Sequence, residues 1–147
     1  MKIGILTAGG DCPGINAAIR GVGKAAILNY GMEVIGIASG YKGLIDKEYI
    51  PLNESMLSGI LTQGGTILGT SREKPFKKTD ESNSNTLTKS ELIKEHYKQL
   101  NLDCLVCIGG NGTQKTAHLL VEEGLNIVSI PKTIDNDVWG TDFTFGF

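Results

Sequence analysis

A chain of 147 residues can bury one good hydrophobic core, and 40% hydrophobic with 20% charged residues is a globular balance. A net charge of -2 excludes a broadly basic nucleic-acid surface, leaving only a local basic patch open. No stretch approaches a membrane span, and the N-terminal apolar run is too short for a secretory segment, so the expectation is a soluble, cytoplasmic chain.

Residues 2–7 predict a strand, followed by the turn Ala8-Gly9-Gly10-Asp11-Cys12-Pro13-Gly14. Residues 15–29 predict a helix, because Ile15, Ala18, Ile19, Val22, Ala25 and Ala26 fall on one helical stripe, and Gly31 suits the residue after its end. Residues 33–38 predict a second strand and 40–43 a loop. That order of strand, helix and strand implies a right-handed crossover and a parallel sheet. Residues 54–61 predict a short helix leading into two glycine turns, Gln63-Gly64-Gly65-Thr66 and Gly69-Thr70-Ser71-Arg72. Residues 77–89 are polar and predict a loop. Thr88 or Ser90 suits the cap of a helix that runs to about Leu100. Residues 103–108 predict a strand, 113–123 a helix, and 127–130 a last strand that is β-branched enough to be buried and parallel. The fold class is α/β: a doubly wound, mainly parallel sheet flanked by helices, Rossmann-like.

Three cysteines, Cys12, Cys104 and Cys107, are an odd count and make no secreted disulfide framework. Cys104 and Cys107 have redox-motif spacing but sit inside an apolar run, so small buried hydrophobes are the expected role. Cys12 beside a glycine turn is likewise assigned to packing. His96 and His118 fall on helices and show no metal-ligand spacing.

The glycine turns carry the chemical argument, because the 20 glycines are roughly twice the average usage. Both 7–14 and Gly109-Gly110-Asn111-Gly112-Thr113 join a strand to a helix, which gathers free amides at the positive helix end. Neither matches a P-loop or a dinucleotide fingerprint. Two such turns at one sheet edge nevertheless point to phosphate. Arg72 in the third turn is either a phosphoryl clamp or a solvated loop arginine; the lysines behind it, Lys74, Lys77 and Lys78, are read as solvated.

The last strand delivers Pro131-Lys132-Thr133-Ile134-Asp135-Asn136-Asp137 to the carboxyl edge of the sheet, where α/β proteins bind ligands. In an extended segment Asp135 and Asp137 face the same side. One carboxylate can accept a hydroxyl proton while a second stands near a metal. The other reading is an Asx turn whose carboxylates only accept backbone donors. The residues alone therefore reach a phosphate-handling α/β domain and a candidate phosphotransferase.

Taken together, Thr7-Ala8-Gly9-Gly10-Asp11, Pro13-Gly14, Asn16-Ala17-Ala18-Ile19-Arg20, Gly64-Gly65-Thr66, Gly69-Thr70-Ser71-Arg72, Ile108 to Thr113 and Pro131 to Asp137 resemble the 6-phosphofructokinases, in the family's own order. The resemblance implies transfer of a phosphoryl group to the 1-hydroxyl of fructose 6-phosphate, with Mg²⁺. It makes Asp135 the general base, Thr133 a sugar-phosphate contact and Asp137 an acid near the metal. It makes Gly10 the phosphate-turn glycine and Arg72 the bridge to the transferring group. Gly110, Asn111, Gly112 and Thr113 become the donor turn, and Tyr41 lies in the nucleotide-side loop.

Two departures qualify the donor and the metal. Many members carry Asp where this chain has Asn111, so the amide supplies an oxygen without charge and holds Mg²⁺ more weakly. Pyrophosphate-dependent members typically pair Lys at the Lys132 position with Asp at the Gly112 position, whereas ATP enzymes tend to have Gly at both. Lys132 with Gly112 is a mixed pattern. Gly112 leaves room for a nucleotide α-phosphate, which favours ATP, with pyrophosphate as the alternative. Arg20 and Lys24 resemble effector-phosphate positions of allosteric members, or else form a solvated helix face. The resemblance also implies a longer, two-domain, homo-oligomeric enzyme of which these residues are the first, donor-binding domain. The competing reading of another class is a non-catalytic nucleotide-binding module or an inactive fragment.

Overall fold

A computed structural model describes residues 1–77 and 86–147; the loop expected over 77–89 and Lys78 lie largely outside the described residues. The chain runs β1 (Lys2–Thr7), α1 (Ile15–Tyr30), β2 (Glu33–Ile37), α2 (Tyr41–Asp46), β3 (Tyr49–Leu52), α3 (Glu54–Leu57), α4 (Lys89–Gln99), β4 (Cys104–Gly109), α5 (Asn111–Glu122) and β5 (Ile127–Pro131). The strands lie in the order β3-β2-β1-β4-β5. All neighbours are parallel except β3, which runs antiparallel to β2.

Strand periodicity divides the core in two. Ile3 and Ile5 of β1, with Cys104, Val106 and Ile108 of β4, face Ile15 and Ile19 of α1 and Leu57 of α3. Leu6, Leu105 and Cys107 point the other way, onto Tyr41, Leu44, Ile93, Ala117 and Leu120. Helices thus cover both faces, and the expected doubly wound sheet is present. Cys104 and Cys107 lie on opposite faces, so both thiols are free, buried and out of mutual reach. From β1 the chain builds outward to β2 and β3, then returns to the other side of β1 with β4. The switch point lies between the carboxyl ends of β1 and β4, where open α/β sheets leave a crevice.

Four expectations change. The stretch 40–43 is not a loop throughout: Tyr41 opens α2, a single short turn entered through Gly40 (φ 65°). The edge strand β3 was not anticipated, because it contains Pro51 and buries only Leu52, which leaves no alternating pattern to read. The helix expected over 54–61 stops at Leu57, since Ser58 is extended and Gly59 is left-handed (φ 81°). The last strand is parallel as expected but not buried. It is the edge of the described sheet, and Val128 is 53% exposed. Thr88 is the cap of α4, with a reciprocal box through Glu91. Among the described residues no helix is long and apolar enough to cross a membrane.

Candidate active site

The first wall of the crevice grows from β1. Ala8 N–H donates to the Ile108 carbonyl (3.0 Å) and Gly9 N–H to the Ser71 carbonyl (2.9 Å). Amides free to meet an anion at this turn therefore begin at Gly10, which is exposed. Gly9 is left-handed (φ 87°), which lets the chain turn away from the sheet. The Thr7 hydroxyl donates to the Gly69 carbonyl (2.7 Å), and the Ser71 hydroxyl to that of Ser39 (2.6 Å). Asn16, 2% exposed, accepts from Ile67 N–H (2.7 Å) and donates to the Gln63 carbonyl (3.2 Å). Together these bonds fasten the 63–71 loop and hold Arg72 at the mouth of the crevice. Arg72 is exposed and enters no ion pair among the described residues.

The second wall is the start of α5. Gly110 caps this helix with no side-chain bond, and a Cβ on Gly109 would lie 2.3 Å from the Thr113 hydroxyl. Asn111, Gly112 and Thr113 form its first turn, two residues earlier than expected, with amides that the helix itself does not use. A Cβ on Gly112 would meet no protein atom within 4 Å. An acidic side chain there would project into open crevice, as the steric argument for a nucleotide requires. Tyr41 is 1% exposed, and its hydroxyl donates to the Thr113 carbonyl (3.0 Å). Tyr41 therefore braces the α5 turn, and its polar atom is already committed. Burial pushes the Tyr41 hydroxyl well above its usual range, and the neighbouring Cys107 thiol up to about 12.

The third wall follows β5. Lys132 N–H donates to the Gly109 carbonyl (3.0 Å), and its ammonium donates to the Gly10 carbonyl. Lys132 is only 5% exposed and has no carboxylate partner among the described residues. The Thr133 hydroxyl accepts from Asp135 N–H (3.2 Å). The Asx role belongs to Asn136 and not to the acids: its Oδ1 accepts from Thr144 N–H (2.9 Å) and its Nδ2 donates to the Asp142 carbonyl (3.0 Å). Asn136 is also left-handed (φ 51°), so the segment is not extended and the two acids part company. Asp135 lines the crevice and Asp137 does not. The Asn111 amide instead donates to the Asp137 carbonyl (3.4 Å), which joins those two residues beside the α5 turn.

The resulting cleft of about 840 Å³ brings together Gly10, Tyr41, Arg72, Gly110, Gly112, Thr113, Lys132, Thr133 and Asp135. Asn111 and Asp137 are outside its lining. Phe76 and Leu119 add an apolar end beside Tyr41, and Lys115 adds a cation. None of these three had a sequence signal; the anchors Thr7, Asn16 and Ser71 stand in the motifs that carry the resemblance but had no role assigned to them. Cys12 is buried near Gly146, where an added Cβ would lie 2.6 Å from its sulfur, and burial pushes its thiol up. Lys24 pairs loosely with Glu54 (3.9 Å), while the buried Arg20 Nε has no hydrogen-bond partner among the described residues.

Among the described residues, no three His, Cys, Asp or Glu stand close enough to hold a metal unaided. Asn111, Asp135 and Asp137 do offer hard oxygens. Mg²⁺ commonly uses one or two carboxylates together with substrate phosphates and water, so this set fits a Mg²⁺ that arrives with its phosphates.

Known proteins resemble this chain throughout its length. It is 62% identical over 147 residues to a Bacteroides thetaiotaomicron protein named ATP-dependent 6-phosphofructokinase 3, covering all of this chain and 43% of that one. It is 47% identical over 147 residues to a Dictyoglomus thermophilum protein named pyrophosphate–fructose 6-phosphate 1-phosphotransferase, covering all of this chain and 40% of the other. The chain thus spans about two fifths of the length of these relatives. Phosphofructokinase of Pichia pastoris, solved in the T-state, superposes with a TM-score of 0.84 at 34% identity, over 99% of this chain and 16% of that one. The sequence model of the phosphofructokinase family matches residues 2–147, and the chain belongs to that family.

Proposed function

We propose that this chain forms the donor-phosphate side of a 6-phosphofructokinase, which transfers a phosphoryl group from ATP to the 1-hydroxyl of fructose 6-phosphate and yields fructose 1,6-bisphosphate. The observation that carries the reading is Lys132: an ammonium withdrawn from water, without a carboxylate, set between two turns of free amides. A buried cation of that kind is stabilised by an anion, and phosphate is the anion that glycine turns at helix starts accept.

In this reading Gly10 and the turn from Gly110 to Thr113 hold donor phosphates through backbone amides. Lys132 and Arg72 neutralise charge on the transferring group, where positioning and electrostatics supply most of the rate. Asp135 accepts the proton of the attacking sugar hydroxyl, and Thr133 orients the sugar phosphate. Mg²⁺, when bound with the donor, would be held by Asp137 and Asn111 and would screen phosphate charge. Phe76 and Leu119 give a nucleoside an apolar seat that pyrophosphate does not need. This seat, with the open space at Gly112, favours ATP. Lys132 supports pyrophosphate as the second reading, and the Dictyoglomus relative carries that activity in its name. A further domain for the sugar phosphate, homo-oligomeric assembly and a cytoplasmic setting complete the proposal.

The test is calorimetric titration of the 147-residue chain with Mg²⁺·ATP and with Mg²⁺·pyrophosphate. Saturable ATP binding, tighter than pyrophosphate, is expected. Tighter binding of pyrophosphate would transfer the proposal to that donor, and binding of neither would overturn the site. In a coupled assay the isolated chain should turn over poorly; family-level turnover would refute the need for a second domain.

A further inference from the structure

The two acids of the Asp135-Asn136-Asp137 segment have different surroundings although they are only two residues apart, and the residue between them is the cause. Asn136 sits at φ 51°, a left-handed conformation that asparagine tolerates and most residues avoid. Its side chain is spent on the returning chain, accepting from Thr144 N–H (2.9 Å) and donating to the Asp142 carbonyl (3.0 Å). Thr144, 6% exposed, closes the ring by donating its hydroxyl to the Thr133 carbonyl (2.8 Å). The flanking backbone is tied as well, since Thr133 N–H donates to the Phe145 carbonyl and Phe145 N–H to that of Pro131, each 3.0 Å.

The consequence for the acids is twofold. The left-handed residue breaks the alternation of an extended segment, so Asp135 lines the cleft while Asp137 stands by Asn111. The Asn136 amide also satisfies the Thr144 N–H, a donor that a neighbouring carboxylate would otherwise be drawn to. Both carboxylates stay clear of hydrogen bonds and ion pairs among the described residues.

We infer that Asn136, locked by Thr144, is a positioning residue that separates Asp135 and Asp137 into two roles, one facing the acceptor hydroxyl and one facing the metal-phosphate side. The inference rests on the roles proposed above for those acids. It adds the element that assigns them, which neither acid supplies by itself.

The test uses the 147-residue chain with Asn136→Gly, which keeps the left-handed backbone but loses both side-chain bonds, and with Thr144→Val and Thr144→Ser. Three quantities are read: amide exchange at Thr144, the Asp135 and Asp137 amide resonances, and ATP affinity with Mg²⁺ and in EDTA. Asn136→Gly should speed Thr144 exchange by about tenfold or more, as expected when a single hydrogen bond is lost. It should also lose most of the Mg²⁺-dependent gain in ATP affinity while binding in EDTA stays within about twofold, a split that general destabilisation does not produce. Thr144→Val should move both aspartate resonances from seven or more residues away, and Thr144→Ser should restore them. The inference is overturned if Asn136→Gly frees the Thr144 amide yet keeps the full Mg²⁺ gain, or if Thr144→Val leaves both resonances in place. A wild-type chain whose ATP affinity ignores Mg²⁺ would instead remove the proposed metal role of Asp137, and the resonances alone then decide the positioning role.

Discussion

The Lys132 ammonium donates to the carbonyl of Gly10, a residue 122 positions earlier in the chain. This contact joins the end of β5 to the turn after β1 and places a positive charge at the seam between two amide-bearing turns. Lys132→Met keeps much of the side-chain volume and removes the charge. Charge-assisted bonds of this kind are worth about 1.5–3 kcal/mol, so ATP affinity should fall by at least about tenfold. Pyrophosphate, with no nucleoside to compensate, should lose more. Because an unpaired buried charge is removed, the melting temperature should hold or rise. Calorimetry and thermal melts measure both halves, and a variant that keeps its pyrophosphate affinity would take Lys132 out of the donor site.

Asp135 separates binding from chemistry. In any longer form of the enzyme that carries this segment, Asp135→Asn should bind Mg²⁺·ATP within about twofold of wild type. Turnover should drop by roughly 10²–10⁴, the usual contribution of a positioned general base. A coupled assay run beside a binding measurement reads the split. An unchanged rate would leave the enzyme reading without its base.

Tyr41 tests whether the α5 turn needs its brace. Tyr41→Phe leaves the buried ring in place and deletes the hydroxyl that donates to the Thr113 carbonyl (3.0 Å). Stability should fall by about 1 kcal/mol, the net value of one such bond. ATP affinity should weaken severalfold as the first turn of α5 loosens, with no change in the apolar seat. Equal affinity in the two proteins would show that the turn holds its shape without the tyrosine.

The acid limb of the stability curve should carry a signature from Glu91. Its carboxylate accepts from Thr88 N–H (2.7 Å) and from the Thr88 hydroxyl (2.8 Å), and these bonds hold it below the usual glutamate range. A depressed folded value gives stability that is present above the ordinary glutamate range, about pH 4, and lost as pH falls through the folded value. Melting temperatures of wild type and Glu91→Gln should therefore differ at pH 7 and converge at low pH. A gap that persists in acid would assign the cap to something other than charge.

The legible parts of the fold were those with a strong period. The apolar runs of β1 and β4 and the stripe of α1 fixed the centre of the sheet, and Thr88 announced α4. What escaped was short or at an edge: α2 has too few residues for a helical period, and β3 buries only Leu52. The site divides the same way. Gly10, Arg72, Lys132, Thr133 and Asp135 stand in motifs and do meet in one cleft. The parting of Asp135 from Asp137 depends on a dihedral at Asn136 that no pattern of residue types reports. The anchors Thr7, Asn16 and Ser71 act on partners 32 to 62 positions away, a distance at which local sequence carries no signal.

The bonds that tie the 63–71 loop to β1 and α1 have a mechanical meaning. Gly9 N–H is held by the Ser71 carbonyl and Asn16 N–H by that of Gly65, so the Gly10 turn and the base of the Arg72 arm are fastened together as a single jaw. The opposing jaw is the start of α5 with the tail of β5, joined through Lys132 N–H and the Gly109 carbonyl. The seam between the jaws is crossed by Ala8 N–H to Ile108 and by the Lys132 ammonium to Gly10. The residue that supplies the charge also fastens one jaw to the other.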